Sequence, residues 1–424
     1  MLEELEIENY KSLHRVSFRV PQFGVLVGAN AAGKSNFADA IEFLQLVAMA
    51  GLPSAVSDKG GYENLCFRRA RRAKGAIRFR TRITGISLRF SEGNNKQRIK
   101  LNFDYSFSFR AKKQAISSEF VVASEEFSLT YESPRDNGKN RKGLTYRRSP
   151  EGVHLQVEGS KHPEVIPPER FLQSILGGDK RAFPEDDLIL TKLLKPLPPF
   201  FFLTEYLSKF RVFQIMPSAT RKAASASGSR EMGKHGENLP AALSALQRED
   251  GKAYQGLLDQ LRLAVPTVQK LETGYVETRE LGLFLREEGM ARRMFASELS
   301  DGTLRTIALF LPLTFPSYGL VVIEEPENCI HPWVVRQFVS ACREMTEGRQ
   351  IILTTHSPVL VSELKAEELF VVERRDGETR IVPASEAATG VDEIVNAGVM
   401  KLGQYWDSGA MGAVPEQLIL PSVK

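Results

Sequence analysis

The chain is predicted to be an α/β protein built around a phosphate-binding loop, interrupted by an antiparallel β insertion and a helical insertion. Three observations predict this. Residues 28 to 35 read Gly-Ala-Asn-Ala-Ala-Gly-Lys-Ser, a complete G-x-x-x-x-G-K-[ST] loop. The run Phe23 to Val27 before it is short and apolar, and Ser35 to Leu44 after it carries apolar residues at helical spacing, so the order is strand, loop, helix. A second apolar strand, Leu320 to Ile323, ends on the acid pair Glu324-Glu325.

Each element has a chemical reason. Gly28 and Gly33 let the backbone turn successive N–H groups toward one anion, at a helix N-terminus that already favours negative charge. Lys34 then reaches the β- and γ-phosphates of ATP, the Ser35 hydroxyl ligates Mg²⁺, and Asn30 and Asn36 complete the nucleotide-contacting set with Gly33. Glu324 stands where the Mg²⁺ shell is held, and Glu325 is placed to polarise an attacking water. A third apolar strand, Gln350 to Thr355, leads to His356 at the carboxyl edge of a parallel sheet, where ligands bind; His356 reads as a γ-phosphate contact. Alone, two acids at a strand end are a solvated terminus and a single histidine is structural. The loop upstream gives them a chemical reading.

Composition bounds the rest. With 424 residues, 42% hydrophobic, the chain can bury two or three domains. A net charge of +4 with 25% charged residues argues neither for nor against nucleic acid. Cys66, Cys329 and Cys342 are odd in number and lack C-x-x-C spacing, which fits a reducing cytoplasm and suggests no zinc site. The acidic start Met1-Leu2-Glu3-Glu4 is no secretory signal, and no apolar stretch approaches the roughly 18 residues of a membrane span. A cytoplasmic protein without membrane contact is expected.

Four segments follow from the patterning. Residues 1–75 form the N-terminal part of the core, opening with a small amphipathic sheet at Leu5, Ile7, Val16, Phe18 and Val20. Residues 76–160 alternate apolar and polar as an antiparallel β insertion, with turns at Glu92 to Asn95 and Arg135 to Gly138. Residues 161–272 read as mainly helical, with a mobile Ser/Gly/basic loop from Ser218 to Gly236. Residues 273–424 return to the core.

Upstream of the acid pair lies Glu298-Leu299-Ser300-Asp301-Gly302-Thr303-Leu304-Arg305, which by itself is an N-cap before an apolar helix. Together and in this order, the motifs resemble the ABC-type ATPases of the SMC, RecF and OLD group, also called AAA family ATPases. The resemblance covers residues 1–50 and about 290–375, and touches Asn9-Tyr10-Lys11-Ser12 and Gly236 to Pro240. The run from Glu324-Glu325-Pro326-Glu327-Asn328 to His331-Pro332 is similar to OLD-like members. The resemblance implies a P-loop NTPase fold of the ABC-type ATPase head. It also implies nucleotide contacts from Lys11 and Ser12, and a signature motif at Ser300 and Gly302 that meets the γ-phosphate held by a second subunit. A homodimer or higher even-numbered oligomer is therefore expected. Asp301 stands where transporters have Gly, and Glu324 where many relatives have Asp.

OLD-type nucleases carry a Toprim domain after the ATPase. Here Leu369 to Glu373 runs into a hairpin with Asp376-Gly377 at its turn, and no D-x-D follows, so no nuclease is expected in this chain. Eight basic residues lie between Arg68 and Arg82, of which Arg78, Arg80 and Arg82 share one strand face. They are candidate DNA contacts, against the reading of a solvated face paired with local acids. The expected function is an ATP-hydrolysing switch subunit acting on DNA or in anti-phage defence, with a separately encoded effector protein such as a nuclease. The alternatives are a RecF-like DNA repair ATPase without a toxic effector and a transporter ATPase subunit.

Overall fold

A computed structural model describes residues 1–67, 75–92, 95–112, 119–132, 140–149, 152–157, 167, 169–176, 184–226, 229–276, 279–315, 317–388 and 400–411. It has the predicted α/β architecture, in two compact units. The first comprises residues 1–20, 39–210 and 374–381, and the second residues 21–38, 211–373 and 382–424.

Among the described residues there are sixteen strands: β1 Leu2–Tyr10, β2 Leu13–Arg19, β3 Phe23–Val27, β4 Ile77–Glu92, β5 Asn95–Ala111, β6 Phe120–Glu132, β7 Asn140–Ser149, β8 Gly152–Val157, β9 Phe210–Phe213, β10 Val268–Tyr275, β11 Leu281–Glu287, β12 Met294–Phe295, β13 Leu320–Glu324, β14 Gln350–Thr355, β15 Leu369–Arg375 and β16 Glu378–Pro383.

In the first unit, seven antiparallel strands form one sheet in the order β2-β1-β4-β5-β6-β7-β8. The N-terminal sheet and the β insertion, read separately in the sequence, are therefore a single sheet. Glu4 to Glu8 of β1 pair with Arg82 to Arg78 of β4, a register set some seventy residues away along the chain, where local patterning carries no signal. Alternation buries Phe79, Phe103, Tyr105, Phe107, Phe109 and Phe127 on one face. Their rings pack at 5.5 Å between Phe79 and Phe107 and 5.4 Å between Phe79 and Phe43 of the helix Lys34–Ala50.

An ionisable side chain enters that apolar layer. Glu125, fully buried, accepts from the hydroxyls of Tyr146 at 2.8 Å and Tyr105 at 3.1 Å, and from the backbone N–H of Ile189 at 2.8 Å and of Leu190 at 3.0 Å. Burial pushes its carboxyl up, while the Leu190 and Ile189 N–H groups and Tyr146 pull it back.

A six-stranded sheet has the order β16-β15-β3-β14-β13-β9, of which β3, β14 and β13 lie wholly in the second unit. β3 pairs in parallel with β14 and with β15, and β14 in parallel with β13. All residues of β3, β13 and β14 are buried, as expected for parallel strands covered on both sides. The helices Leu239–Glu249, Gly251–Ala264, Asp301–Phe310 and Pro332–Glu344 pack with these strands in one core. β10, β11 and β12 form a separate three-stranded sheet.

The stretch 161–272, expected to be mainly helical, also carries strands among its described residues: Phe210–Phe213 is an edge strand of the core sheet and Val268–Tyr275 is a strand. The four-residue strand Phe210–Phe213, with Arg211 inside it, is too short for periodicity to identify. The stretch 218–236, expected to be a mobile loop, is pinned where Ala224 exchanges backbone hydrogen bonds with Leu281 at 2.9 and 2.7 Å. The turns expected at 92–95 and 135–138 lie partly or wholly outside the described residues. β15 pairs with β3 and runs to a hairpin whose Asp376 and Gly377 both have positive φ, so this strand belongs to the core sheet.

Replacing Glu125 by Leu strands two hydroxyls and two N–H groups in a dry layer. Each costs about 1–3 kcal/mol. A loss of at least about 3 kcal/mol in urea-unfolding free energy is expected; a loss near zero would contradict the assigned network.

Candidate nucleotide site

β3 delivers the phosphate loop, β13 the acid pair and β14 His356, and because β14 lies between the other two, all three carboxyl ends open on one sheet edge. Neighbouring strands sit about 4.8 Å apart. Val27 pairs with Thr355 and Glu324 with Thr354, so the last residues of each strand are level.

The loop is shaped by its own sequence. Ala31 and Gly33 have positive φ, and the N–H of Ala32 donates to Ala29 at 3.2 Å, closing the turn before the helix Lys34–Ala50. Gly28 is required by close approach: a Cβ there would stand 2.2 Å from the carbonyl oxygen of Val372. Lys34 is 6% exposed, and its Nζ donates to the carbonyls of Gly28 at 2.7 Å and Ala29 at 3.0 Å. Burial pulls its ammonium below the ordinary range, and the charges of Glu325, Glu327 and Glu324 act the other way. Asn30 and Ser35 are exposed at the loop, Gly33 is buried and Asn36 half-buried.

Glu324 ends β13 almost fully buried. Glu325 leaves the strand at φ 45°, its N–H donating to Thr354 at 2.9 Å. Its Oε2 accepts from Asn328 at 2.8 Å, and its Oε1 lies 3.3 Å from His356 Nδ1. Glu327, which the sequence reading passed over, accepts from the Thr355 hydroxyl through Oε1 and holds Oε2 buried without a hydrogen-bond partner. Burial pushes its carboxyl up. Its place as the third acid in Glu324-Glu325-Pro326-Glu327 is the signal that was available.

Ser300 caps the helix Asp301–Phe310, its Oγ accepting from Thr303 N–H at 3.0 Å. Gly302 is required because a Cβ would lie 2.8 Å from the carbonyl of Cys329. Arg221, inside the stretch expected to be mobile, donates to the carbonyls of Ala296 at 3.1 Å, Ser297 at 3.1 Å and Leu299 at 3.0 Å and also bonds Asp301. The acid that stands where transporters have Gly is thus neutralised within the chain.

Lys11 and Ser12 belong to the first unit, whereas the loop belongs to the second. Lys11 pairs with Asp39 Oδ2 at 2.5 Å, and Asp39 also accepts from Lys59 at 2.7 Å and Tyr10 at 2.6 Å. Burial pushes the Asp39 carboxyl up, but hydrogen bonds from Lys11, Lys59 and Tyr10 outweigh it and hold it below the usual range. Ser12 Oγ lies 2.7 Å from Thr379 Oγ1.

Of the candidate DNA contacts, Arg80 binds Asp104 at 2.9 and 2.7 Å and reaches Glu6 at 3.4 Å, and Arg82 binds Glu4 at 2.6 Å. Those two arginines follow the alternative reading of a face paired with local acids; Arg78 shares that face. Arg68 to Lys74 lie outside the described residues. Among the described residues no helix is long and apolar enough to cross a membrane.

The donor set fits Mg²⁺ and a nucleotide. Ser35 and Glu324 offer hard oxygens, Glu327 keeps an unpartnered buried oxygen three residues after Glu324, and the loop offers N–H groups and Lys34 to phosphate.

A family model described as "AAA domain, putative AbiEii toxin, Type IV TA system" matches residues 23–362. The OLD nuclease of Thermus scotoductus (strain ATCC 700910 / SA-01) is 36% identical over 95 residues, which cover 21% of this chain and 17% of that protein. Among solved structures, the Smc head with an extended coiled coil, bound to the C-terminal domain of ScpA derived from Pyrococcus furiosus, aligns with TM-score 0.43 and 13% identity over 94% of this chain and 99% of that one. The SMC head domain from Thermotoga maritima aligns with TM-score 0.37 and 14% identity over 90% and 98%.

Two substitutions separate loop shape from loop charge. Lys34→Ala is expected to abolish nucleotide binding while the thermal midpoint stays within a few degrees. Gly28→Ala is expected to lose binding and about 1–3 kcal/mol of stability together, because backbone must move to admit the methyl. Calorimetric titration and thermal melts read both; an unperturbed Gly28→Ala would contradict the close approach.

Proposed function

The chain belongs to the AAA domain family whose description names the AbiEii toxin, and from that premise we propose an ATP-binding and ATP-hydrolysing switch subunit. It closes with a second copy around ATP and regulates a separately encoded effector in DNA-directed or anti-phage defence. The observation that carries the ATPase reading is the convergence of Lys34, Glu324, Glu325 and His356 at one edge of the parallel sheet.

Each residue has a task. The loop N–H groups and Lys34 bind the phosphates, and Ser35 and Glu324 hold Mg²⁺. Held there, a divalent metal would supply positive charge to offset the negative charge of the phosphates. Glu325 orients the attacking water and takes its proton, held by Asn328 on one oxygen and by His356 near the other. His356 contacts the γ-phosphate. Ser300 and the first turn after Gly302 present an anion-attracting helix end to the nucleotide of the partner copy, so that ATP closes the pair and hydrolysis reopens it.

The family description and the OLD nuclease relative support the defence role over a transporter subunit. The RecF-like alternative shares the same chemistry and differs in its target. Direct DNA contact through Arg78, Arg80 and Arg82 draws little support, because Asp104, Glu4 and Glu6 already compensate two of the three.

Glu325→Gln is expected to keep ATP binding and to lower phosphate release by about 100-fold or more. Hydrolysis at the wild-type rate in that variant would contradict the assignment.

A further inference from the structure

Arg305 is 6% exposed on the helix that Ser300 caps, one turn beyond Gly302, in a run of apolar neighbours. Its Nη1 donates to the carbonyl of Ile215 at 2.6 Å and its Nη2 to the carbonyl of Glu325 at 2.7 Å, and its Nε is buried without a hydrogen-bond partner. Both of these bonds of a buried guanidinium go to main-chain oxygens. Burial pulls its pKa down from the ordinary range. An apolar side chain of similar volume would fill this space without that cost, so packing alone does not account for an arginine here.

What the arginine holds is a turn that needs holding. Glu325 is a non-glycine residue at φ 45°, a conformation that persists only where the surroundings over-determine it. Its N–H donates to Thr354, and its carbonyl accepts from Arg305 at 2.7 Å and, more weakly, from the N–H of Asn328 at 3.3 Å. The start of the same helix abuts the same turn, since Gly302 has room for no side chain against Cys329.

We infer that Arg305 is a positioning residue that couples the signature helix to Glu325, so that engagement of Ser300 and Gly302 sets the aim of the catalytic carboxylate in the same chain. A shift of the helix pulls the Glu325 carbonyl with it, and the side chain turns about that anchored backbone. This rests on Glu325 being the group that activates water.

The test compares Arg305→Met, Arg305→Lys and Glu325→Gln by ATP affinity and by steady-state phosphate release. Arg305→Met is expected to bind ATP within about threefold of wild type and to release phosphate on the order of 10- to 100-fold more slowly. Arg305→Lys, which can reach one carbonyl, should fall between. Full-speed hydrolysis by Arg305→Met, or equal loss of affinity and rate, would overturn the coupling. If Arg305→Met does not fold, Arg305→Lys decides: a reduced rate at unchanged affinity supports the coupling, and a full rate overturns it. A full-speed Glu325→Gln removes the parent reading, whereas an inert Glu325→Gln beside a full-speed Arg305→Met removes only the coupling.

Discussion

Strands of five or six residues that are buried on both faces have few other ways to satisfy their backbone than pairing with one another, and that pairing fixes everything chemical in this protein. Val25 lies against Leu353 and Val322 against Ile352. A slip of one residue would turn every side chain of a strand to the opposite face and move its last residue off the common edge. With the observed register, the loop, the acid pair and His356 emerge side by side.

The charges that gather there are complementary to a particular kind of ligand. Backbone N–H groups at the head of the helix Lys34–Ala50, with the buried Lys34 ammonium, favour an anion. Glu324, Glu325 and Glu327, whose fields all reach Lys34, disfavour a bare one. An anion accompanied by a divalent cation satisfies both sides, and a low local dielectric magnifies the preference. Around this centre the polypeptide is held by arginines that bond main-chain carbonyls: Arg221 at Ala296, Ser297 and Leu299, and Arg305 at Ile215 and Glu325.

What was legible in the sequence was local. The loop, the strand before it and the acid pair each declare themselves within ten residues, since turn chemistry and apolar runs act over that range. Alternation at Phe103, Tyr105, Phe107 and Phe109 revealed a sheet, but its union with β1 depends on pairing between β1 and β4 some seventy residues apart and left no local trace. β9 was hidden by its length. Arg305 was visible in principle, as a lone cation among the apolar residues from Leu304 to Leu313, yet its partners are carbonyls, which no side-chain pattern encodes. Arg221 was obscured for a different reason, because a Ser/Gly/basic composition resembles a loop whether or not one of its residues clamps a helix end.

The central claim is that two copies complete each nucleotide site, one lending the phosphate loop and the other the signature turn. The most direct measurement mixes two inactive variants, Lys34→Ala and Ser300→Arg, and follows phosphate release. If the site is shared, the loop of the second variant would face the signature of the first in a mixed pair, leaving one site of two whole. Equal mixing should then restore about a quarter of the wild-type rate if pairs form at random. A mixture as inert as its components would contradict the shared site.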